Sequence, residues 1–553
     1  MYRWQPIYDR LGITVPDFDD RTLGEVVADH ACERPGAPAL QFGPRTFSYA
    51  EYDTLTSQLA RGLAGLGVGV GDVVGLHMPN IPQYPLALVA ISRMGAVGSG
   101  VSPLLAPPEL AHQCEDAGVR VLLTLADLLP ALQALPAMPE GLTHVVVCGA
   151  RDLLDTPEVE LPELPGVEVV RFTELLDGGG ERVAQVPVEP ATTPFMIQYT
   201  GGTTGRPKGA QLSHRTLMHN PVQVGEGDPP PEFGAEVYSS AFPAFHVAGL
   251  TFIIGSAING AHLMLVPNPR DVDAFVGLMK AFPPTRLAAV PALYDMILAH
   301  PRIGEVDFSR LKIAKTGAAP MTEATRARFD EVIGPDLLAD VFGMTETGPC
   351  YTFHPLDAFR RGSVGLPVPG AEVRIMDVET GTREMPAGEP GEIASTGPQT
   401  MMGYLGLPEE SAHAVREMDG RRWMYSGDIG TMDEDGYITL CDRAKDMLVV
   451  GGFKVFSVEV EDKLKALPLV GESAVIGTPD TARPGNDVVN LFVELAPGHR
   501  DADQDAARDT VLDFMRTNMA PYKVPKAIHF VDAIPLTPVG KIDKKKLRAQ
   551  LAG

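Results

Sequence analysis

The stretch Gln198-Tyr-Thr-Gly-Gly-Thr-Thr-Gly-Arg-Pro-Lys-Gly209 combines the groups needed to hold a polyphosphate. Gly201, Gly202 and Gly205 allow the backbone to turn tightly and bring its N–H groups up to an anion. Thr200, Thr203 and Thr204 add hydroxyl donors, and Lys208 adds a mobile point charge suited to phosphate. The apolar run Phe195-Met-Ile ahead of it reads as a short buried strand feeding this loop. Glycine and threonine content alone would suit a surface turn, but Lys208 behind Pro207 argues for the phosphate grip. A P-loop is excluded, because Lys208 is preceded by Pro207 and followed by Gly209, and no Gly-x-Gly-x-x-Gly fits either.

Other chemistry-bearing groups follow at wide intervals: Phe242-Pro-Ala-Phe-His-Val-Ala-Gly249, Thr316-Gly-Ala-Ala-Pro320, Phe342-Gly-Met-Thr-Glu-Thr347, Ser426-Gly-Asp428, Arg443-Ala-Lys-Asp446, Gly451-Gly-Phe453 and Pro538-Val-Gly-Lys-Ile542. Taken singly, each has an ordinary reading. Asp428 fits a turn acid as well as a bidentate acceptor for a ribose diol. Glu346 fits a solvated acid, and His246 a core histidine. Lys541 opens the basic run Lys541–Arg548, although Pro538 and Gly540 set it on a turn rather than within a helix. No Gly-x-Ser-x-Gly nucleophile elbow is present.

In this order and at these spacings, the stretches resemble the motifs of the adenylate-forming superfamily, which includes acyl-CoA synthetases, firefly-type luciferases and peptide-synthetase adenylation domains. The resemblance covers nearly the whole chain. It departs at Gly201, where many members carry serine, and at Phe342, where the motif Tyr-Gly-x-Thr-Glu carries tyrosine. It implies an ATP site built from Thr200, Gly201, Gly202, Thr203, Thr204, Gly205 and Lys208 on the phosphates. Gly317, Ala318 and Ala319 would lie against adenine, with Phe342, Gly343, Met344, Thr345, Glu346 and Arg443 completing the site and Asp428 on the ribose. Glu346 and Thr200 would serve Mg²⁺, a hard cation that favours oxygen ligands and substrate phosphates. His246 would stand at the carboxylate pocket, and Lys541 would bridge the substrate carboxylate and the α-phosphate. A fixed charge in that position is worth about 3–4 kcal/mol in the transition state.

The same resemblance implies an acyl-CoA synthetase that makes acyl-AMP from ATP and then transfers the acyl group to CoA. Lys445 would be a hinge, and Gly451, Gly452 and Phe453 would meet the thiol-bearing arm of CoA. The acyl pocket would be lined by Phe242, Phe245, His246, Val247, Ala318, Val341, Phe342 and Met344, an apolar set that favours an alkyl or aryl tail over an amino acid. The Tyr2–Asp20 region and the Pro103–Gln113 stretch look like bacterial long- and medium-chain fatty acyl-CoA ligases. An aryl ligase of the coumarate or benzoate type is the alternative, as is an acyl-AMP ligase loading a separate carrier protein.

The elements that must position these groups alternate along the chain. Residues 22–34 have helical spacing, Ser48-Tyr-Ala-Glu51 is a capping-box start to a helix running towards Leu66, and Gly67–Asp72 is a turn before a Val73–Met78 strand. Further strands are expected at 145–147, 195–198, 263–266, 287–290, 312–315 and 338–341. Such alternation predicts layered α/β sheets, largely parallel. From the resemblance, the fold class is α/β, with a large N-terminal domain of layered sheets and a β-barrel-like part over 1–442. A small mobile α+β domain follows over 443–553, with helices at 458–467 and 506–519. The formal net charge of −25 over 553 residues argues against nucleic-acid binding. Five scattered cysteines without a Cys-x-x-Cys pair suit reduced thiols in a cytoplasmic protein. The uncharged Ala241–Val266 segment is broken by Pro243 and Asn259-Gly260, so it reads as buried core rather than a membrane span. No secretory signal is apparent, and a monomer or homodimer is expected from the family.

Overall fold

The computed structural model describes residues 2–154, 159–178, 180–200, 207–319, 321–443, 446–450, 453–480, 483, 486–500, 502–536 and 542–552. Two compact units partition the chain. The first comprises Met1–Val373, Ser395–Met424 and Asp435–Tyr437; the second comprises Arg374–Ala394, Tyr425–Glu434 and Ile438–Gly553.

Local signals start and stop the helices of the first unit where the side chains allow. Thr22 and Ser48 accept from the backbone of Glu25 and Glu51, whose carboxylates bond back to the cap, so two capping boxes begin the helices Leu23–Glu33 and Tyr49–Gly65. Gly95, left-handed at φ 63°, ends the helix Gln83–Met94 and lets the strand Val97–Val101 follow at once. Helix, glycine and strand thus recur in a short period, the condition for parallel sheets with helical crossovers.

Two large sheets result. An eight-stranded sheet runs in the order Gly403–Tyr404, Lys208–Ser213, Pro194–Thr200, Val97–Val101, Val73–His77, Val119–Leu125, His144–Cys148 and Glu168–Arg171. It is parallel from Pro194–Thr200 outwards and antiparallel at the Lys208–Ser213 edge. A nine-stranded sheet is parallel through Leu40, Leu263, Tyr238, Leu287, Ala314 and Leu338, and turns antiparallel at Arg45–Ser48 on one edge and at Cys350–Phe353 and Leu366–Pro367 on the other. One core of Leu, Val, Ile and aromatic side chains serves both, including Leu59, Leu88, Met196 and Leu250. The segment Val247–Ile258 is a largely buried helix followed by the strand His262–Met264, as expected of core. Among the described residues no helix is long and apolar enough to cross a membrane.

The second unit carries a three-stranded sheet: Val470–Pro479 antiparallel to Asp487–Leu495, which is parallel to Ala527–Val531. Helices Ser457–Leu464 and Gln504–Asn518 cover it through Val460, Leu464, Val511 and Met515. The first of these stops at Leu464, short of the expected Leu467, which Pro468 directly after it keeps out of helical geometry. The five cysteines are free, and burial pushes the Cys114 and Cys350 thiols up to about 12, which makes them poor nucleophiles.

Within the first unit, Arg93 is 1% exposed and donates to Ser57 Oγ at 2.7 Å while pairing with Asp53. It ties the helix Gln83–Met94 to the helix Tyr49–Gly65 beneath the eight-stranded sheet. Arg93→Met leaves Asp53 buried with Arg182 as its remaining partner. The substitution is expected to lower unfolding free energy by about 3–5 kcal/mol in denaturant titration; a loss below 1 kcal/mol would show that the pair is dispensable.

Candidate active site

The chemistry-bearing residues of the first unit gather at the carboxyl ends of its parallel strands, the usual ligand-facing edge of such sheets. Thr200 ends Pro194–Thr200, opposite Lys208 at the start of the neighbouring antiparallel strand. Gly317 and Ala318 follow the strand Ile313–Thr316, and Phe242 follows Val237–Ser240. Glu346 sits in a 3₁₀ turn, Thr345–Thr347, directly after the strand Leu338–Gly343.

Three of these residues interlock. Glu346 is 5% exposed, and its Oε1 accepts the Tyr404 hydroxyl at 2.7 Å. The Lys208 ammonium lies 5.1 Å from the centre of the Tyr404 ring. Tyr404 reaches both because its strand is zipped onto that of Lys208, with Tyr404 opposite Ala210 and Leu405 N–H donating to Gly209 O at 2.8 Å. The main chain of Met401 adds a 2.9 Å bond to Glu346 O. Burial first, then the nearby Glu346 charge, pushes the Tyr404 phenol well above its usual range, so it remains a donor. Tyr404 was not singled out by sequence; a lone Gly-Tyr pair far from Glu346 carries no signal for this contact.

The turn at Gly317 and Ala318 is conformationally unusual. Ala318 is exposed and adopts φ 67°, a left-handed value uncommon outside glycine, asparagine and aspartate. A side chain on Gly317 would come within 2.8 Å of Val341 O, so the turn packs directly on the adjoining strand. Phe342 stands edge-on to Tyr351 with ring centres 5.5 Å apart. Met344 N–H donates to Pro349 O at 2.9 Å, which sets Thr345 and Glu346 on the following turn. A Cβ on Gly343 would fall 1.9 Å from that same oxygen, leaving room for glycine alone.

His246 is the N-cap of Val247–Ile258, its Nδ1 accepting the Ala248 N–H at 3.3 Å. That places the ring proton on Nε2 in the neutral form. The segment before it is clamped from both sides by Asn80, whose Nδ2 donates to Phe242 O at 2.9 Å and whose Oδ1 accepts Ala244 N–H at 2.7 Å. Asn80 is another residue that sequence reasoning passed over, since its partners lie far along the chain. Phe245, Val247 and Met344 belong to the main core cluster.

In the second unit, Asp428 is buried and paired in register with Arg443 across two antiparallel strands. Its N–H donates to Ser426 Oγ at 3.1 Å, and Ser426 Oγ donates to Ile393 O at 2.8 Å. Gly427 between them takes φ 69° and donates to Glu392 Oε1 at 3.0 Å. Phe453 is 57% exposed and stacks on Tyr522 with ring centres 4.6 Å apart. Gly201, Gly202, Thr203, Thr204, Gly205, Lys445, Gly451, Gly452 and Lys541 lie outside the described residues, as does the side chain of Arg443.

Comparison with known proteins places the chain in a family. Residues 27–405 match the AMP-binding enzyme family, and residues 459–541 match the AMP-binding enzyme C-terminal domain. The chain is 33% identical over 513 residues to a long-chain-fatty-acid–CoA ligase of Escherichia coli O6:H1, covering 88% of this chain and 87% of that one. It is 32% identical over 562 residues to 4-coumarate–CoA ligase 2 of Oryza sativa subsp. japonica, covering 97% and 94%. Among solved structures, an anthranilate CoA ligase in complex with anthranoyl-AMP superposes with a TM-score of 0.80 at 27% identity, covering 96% of this chain and 98% of that one.

The left-handed backbone at Ala318 has a measurable consequence. Ala318→Gly is expected to gain up to about 1 kcal/mol of stability, and Ala318→Val to lose about 1–2 kcal/mol, read by urea unfolding. Equal stabilities for the two variants would mean that this turn carries no strain.

Proposed function

We propose that this chain, which belongs to the AMP-binding enzyme family and is an acyl-CoA synthetase of the adenylate-forming superfamily, activates a medium- or long-chain fatty acid. The observation that carries the reading is the convergence of Lys208, Tyr404 and Glu346 where the strand edges of the first unit meet. A cation, a buried carboxylate and the phosphate-loop strand in one place suit the polyphosphate of ATP.

In the first half-reaction, a carboxylate oxygen of the acid attacks the α-phosphorus of ATP, and pyrophosphate leaves with the bonding electron pair. The mixed anhydride makes AMP a good leaving group, which a bare carboxylate lacks. In the second, the sulfur of CoA attacks the acyl carbonyl, its proton passes to solvent, and AMP departs. Thr200, the glycine–threonine loop and Lys208 hold the phosphates; Asp428 accepts the ribose hydroxyls; Gly317, Ala318, Ala319 and Phe342 flank the adenine. His246, held at a helix N-terminus, orients the substrate carboxylate. Lys541 neutralises charge developing at phosphorus. The residues present also fit a hard divalent cation. Among the described residues no cluster of three or more His, Cys, Asp or Glu side chains exists to cage a metal. Glu346 and the Thr200 hydroxyl are instead the oxygen donors that would hold Mg²⁺ alongside the substrate phosphates. When bound, Mg²⁺ would supply charge neutralisation on the phosphates.

The segment 443–553 acts as the mobile lid in this reading, turning about Lys445 to withdraw Lys541 and bring Gly451, Gly452 and Phe453 to the CoA thiol. For the acid, the apolar character of Phe242, Phe245, Val341 and Met344 supports a hydrocarbon tail, as does the similarity to the Escherichia coli ligase. The aryl alternative draws on the similarity to the rice 4-coumarate and anthranilate ligases.

A pyrophosphate-exchange screen over fatty acids of graded length and over benzoates and cinnamates tests the acid; exchange confined to aryl acids would overturn the fatty-acyl assignment. Lys541→Ala is expected to lower adenylation by about 10²–10³-fold, yet to spare thioester formation from supplied acyl-AMP. Equal loss of both half-reactions would remove Lys541 from its proposed role.

A further inference from the structure

We propose that Tyr404 is the positioning residue that joins the metal-facing and phosphate-facing halves of the nucleotide site, its hydroxyl aiming the Glu346 carboxylate and its ring seating the Lys208 ammonium. The inference rests on the reading above, in which Glu346 serves the divalent cation and Lys208 the phosphates.

The geometry carries it in three steps. A hydrogen bond to one oxygen of a carboxylate narrows the range over which the group can rotate. With Tyr404 Oη 2.7 Å from Oε1, Oε2 is left as the oxygen that can turn to a cation. Such a partner behind a ligating carboxylate fixes its direction and raises the affinity of the site. Second, a lysine stem is flexible and its ammonium mobile. The face of the Tyr404 ring, 5.1 Å from Lys208 Nζ, gives that charge a preferred seat without consuming its N–H donors in a salt bridge. Third, Tyr404 is itself held by main-chain pairing to Ala210 and by its own N–H, which donates to Ser411 Oγ at 2.8 Å. The bridge is therefore anchored to the strand that carries Lys208. One side chain thus sets the separation between a fixed anion and a fixed cation, and a metal–triphosphate complex must match both.

Calorimetric titration of ATP into the full-length protein, at graded Mg²⁺ concentrations and separately in EDTA, tests this through binding rather than turnover. Tyr404→Phe keeps the ring and removes the hydroxyl. The Mg²⁺ concentration giving half-maximal enhancement of ATP binding is expected to rise roughly tenfold, while binding in EDTA stays within about twofold of the parent. Tyr404→Leu removes the ring too and is expected to weaken binding in EDTA as well. A midpoint in Mg²⁺ does not depend on the fraction of folded protein, so partial misfolding cannot imitate the shift. Glu346→Gln separates the two ways of failing. If Glu346→Gln moves the midpoint and Tyr404→Phe does not, the positioning role is overturned and the assignment of Glu346 stands. If Glu346→Gln leaves the midpoint in place, the assignment of Glu346 falls and this inference falls with it. Unchanged binding of Tyr404→Leu in EDTA would overturn the seating of Lys208.

Discussion

A carboxylate removed from water must find a hydrogen-bond donor or a cation, and Glu346 is one of the buried carboxylates of the first unit that face this requirement. The Tyr404 hydroxyl meets it, and can do so only because the short strand Gly403–Tyr404 pairs with the strand that begins at Lys208. Much of the local architecture follows from this. Met401 N–H secures the Glu346 carbonyl, Met402 N–H donates to Gln211 O at 2.9 Å, and Leu405 N–H secures Gly209. The antiparallel edge of the eight-stranded sheet is thereby tied to the turn after Leu338–Gly343, an element of the other sheet.

Parallel strands supply the rest of the arrangement. Within each sheet their carboxyl ends point one way. Ser240 and Thr316 end parallel strands of the nine-stranded sheet, and Thr200 ends one of the eight-stranded sheet. Asn80, after Val73–His77, joins the two ends through Phe242. Close packing then refines each loop. Asn80 clamps Phe242 and Ala244, a side chain on Gly249 would strike Pro243 O at 2.1 Å, and the Gly317 turn rests on Val341. The helix that His246 caps is apolar and largely buried, which fixes the imidazole at a rigid helix end rather than on a free loop. Rigid support of this kind is what a site needs when its task is to hold substrates in a reactive arrangement.

The second unit meets a similar need by register. Asp428 lies opposite Arg443 only because the two strands shift by one residue between Ile429 and Gly430. Around the start of its first helix, Asp442 accepts the Ser457 hydroxyl at 2.9 Å, Lys544 donates to Ser457 Oγ at 2.5 Å, and Lys544 pairs with Glu461 at 2.8 Å. Charges buried as such a connected set avoid the penalty of an isolated ion. The set holds the end of the strand Ile438–Arg443 and the beginning of the helix Lys544–Ala552 to one frame, on either side of the segments that carry the expected hinge and lysine.

Local chemistry was legible in the sequence because it depends on neighbours. The glycine–threonine run with Lys208, the capping boxes at Thr22 and Ser48, the glycine-punctuated alternation of helix and strand, and the ordered family motifs all lie within short windows, and the family and fold class followed from them. Distant pairings were not legible. Tyr404 meets Glu346 across 58 residues and Asn80 meets Phe242 across 162, and nothing in either sequence neighbourhood names its partner. Ala318 at a left-handed φ is equally silent, since alanine advertises no such geometry. Residue types and their order were therefore set by the chain itself, whereas which carboxylate is buried, what hydrogen-bonds to it and which charge faces it were decided only when two sheets brought their edges together.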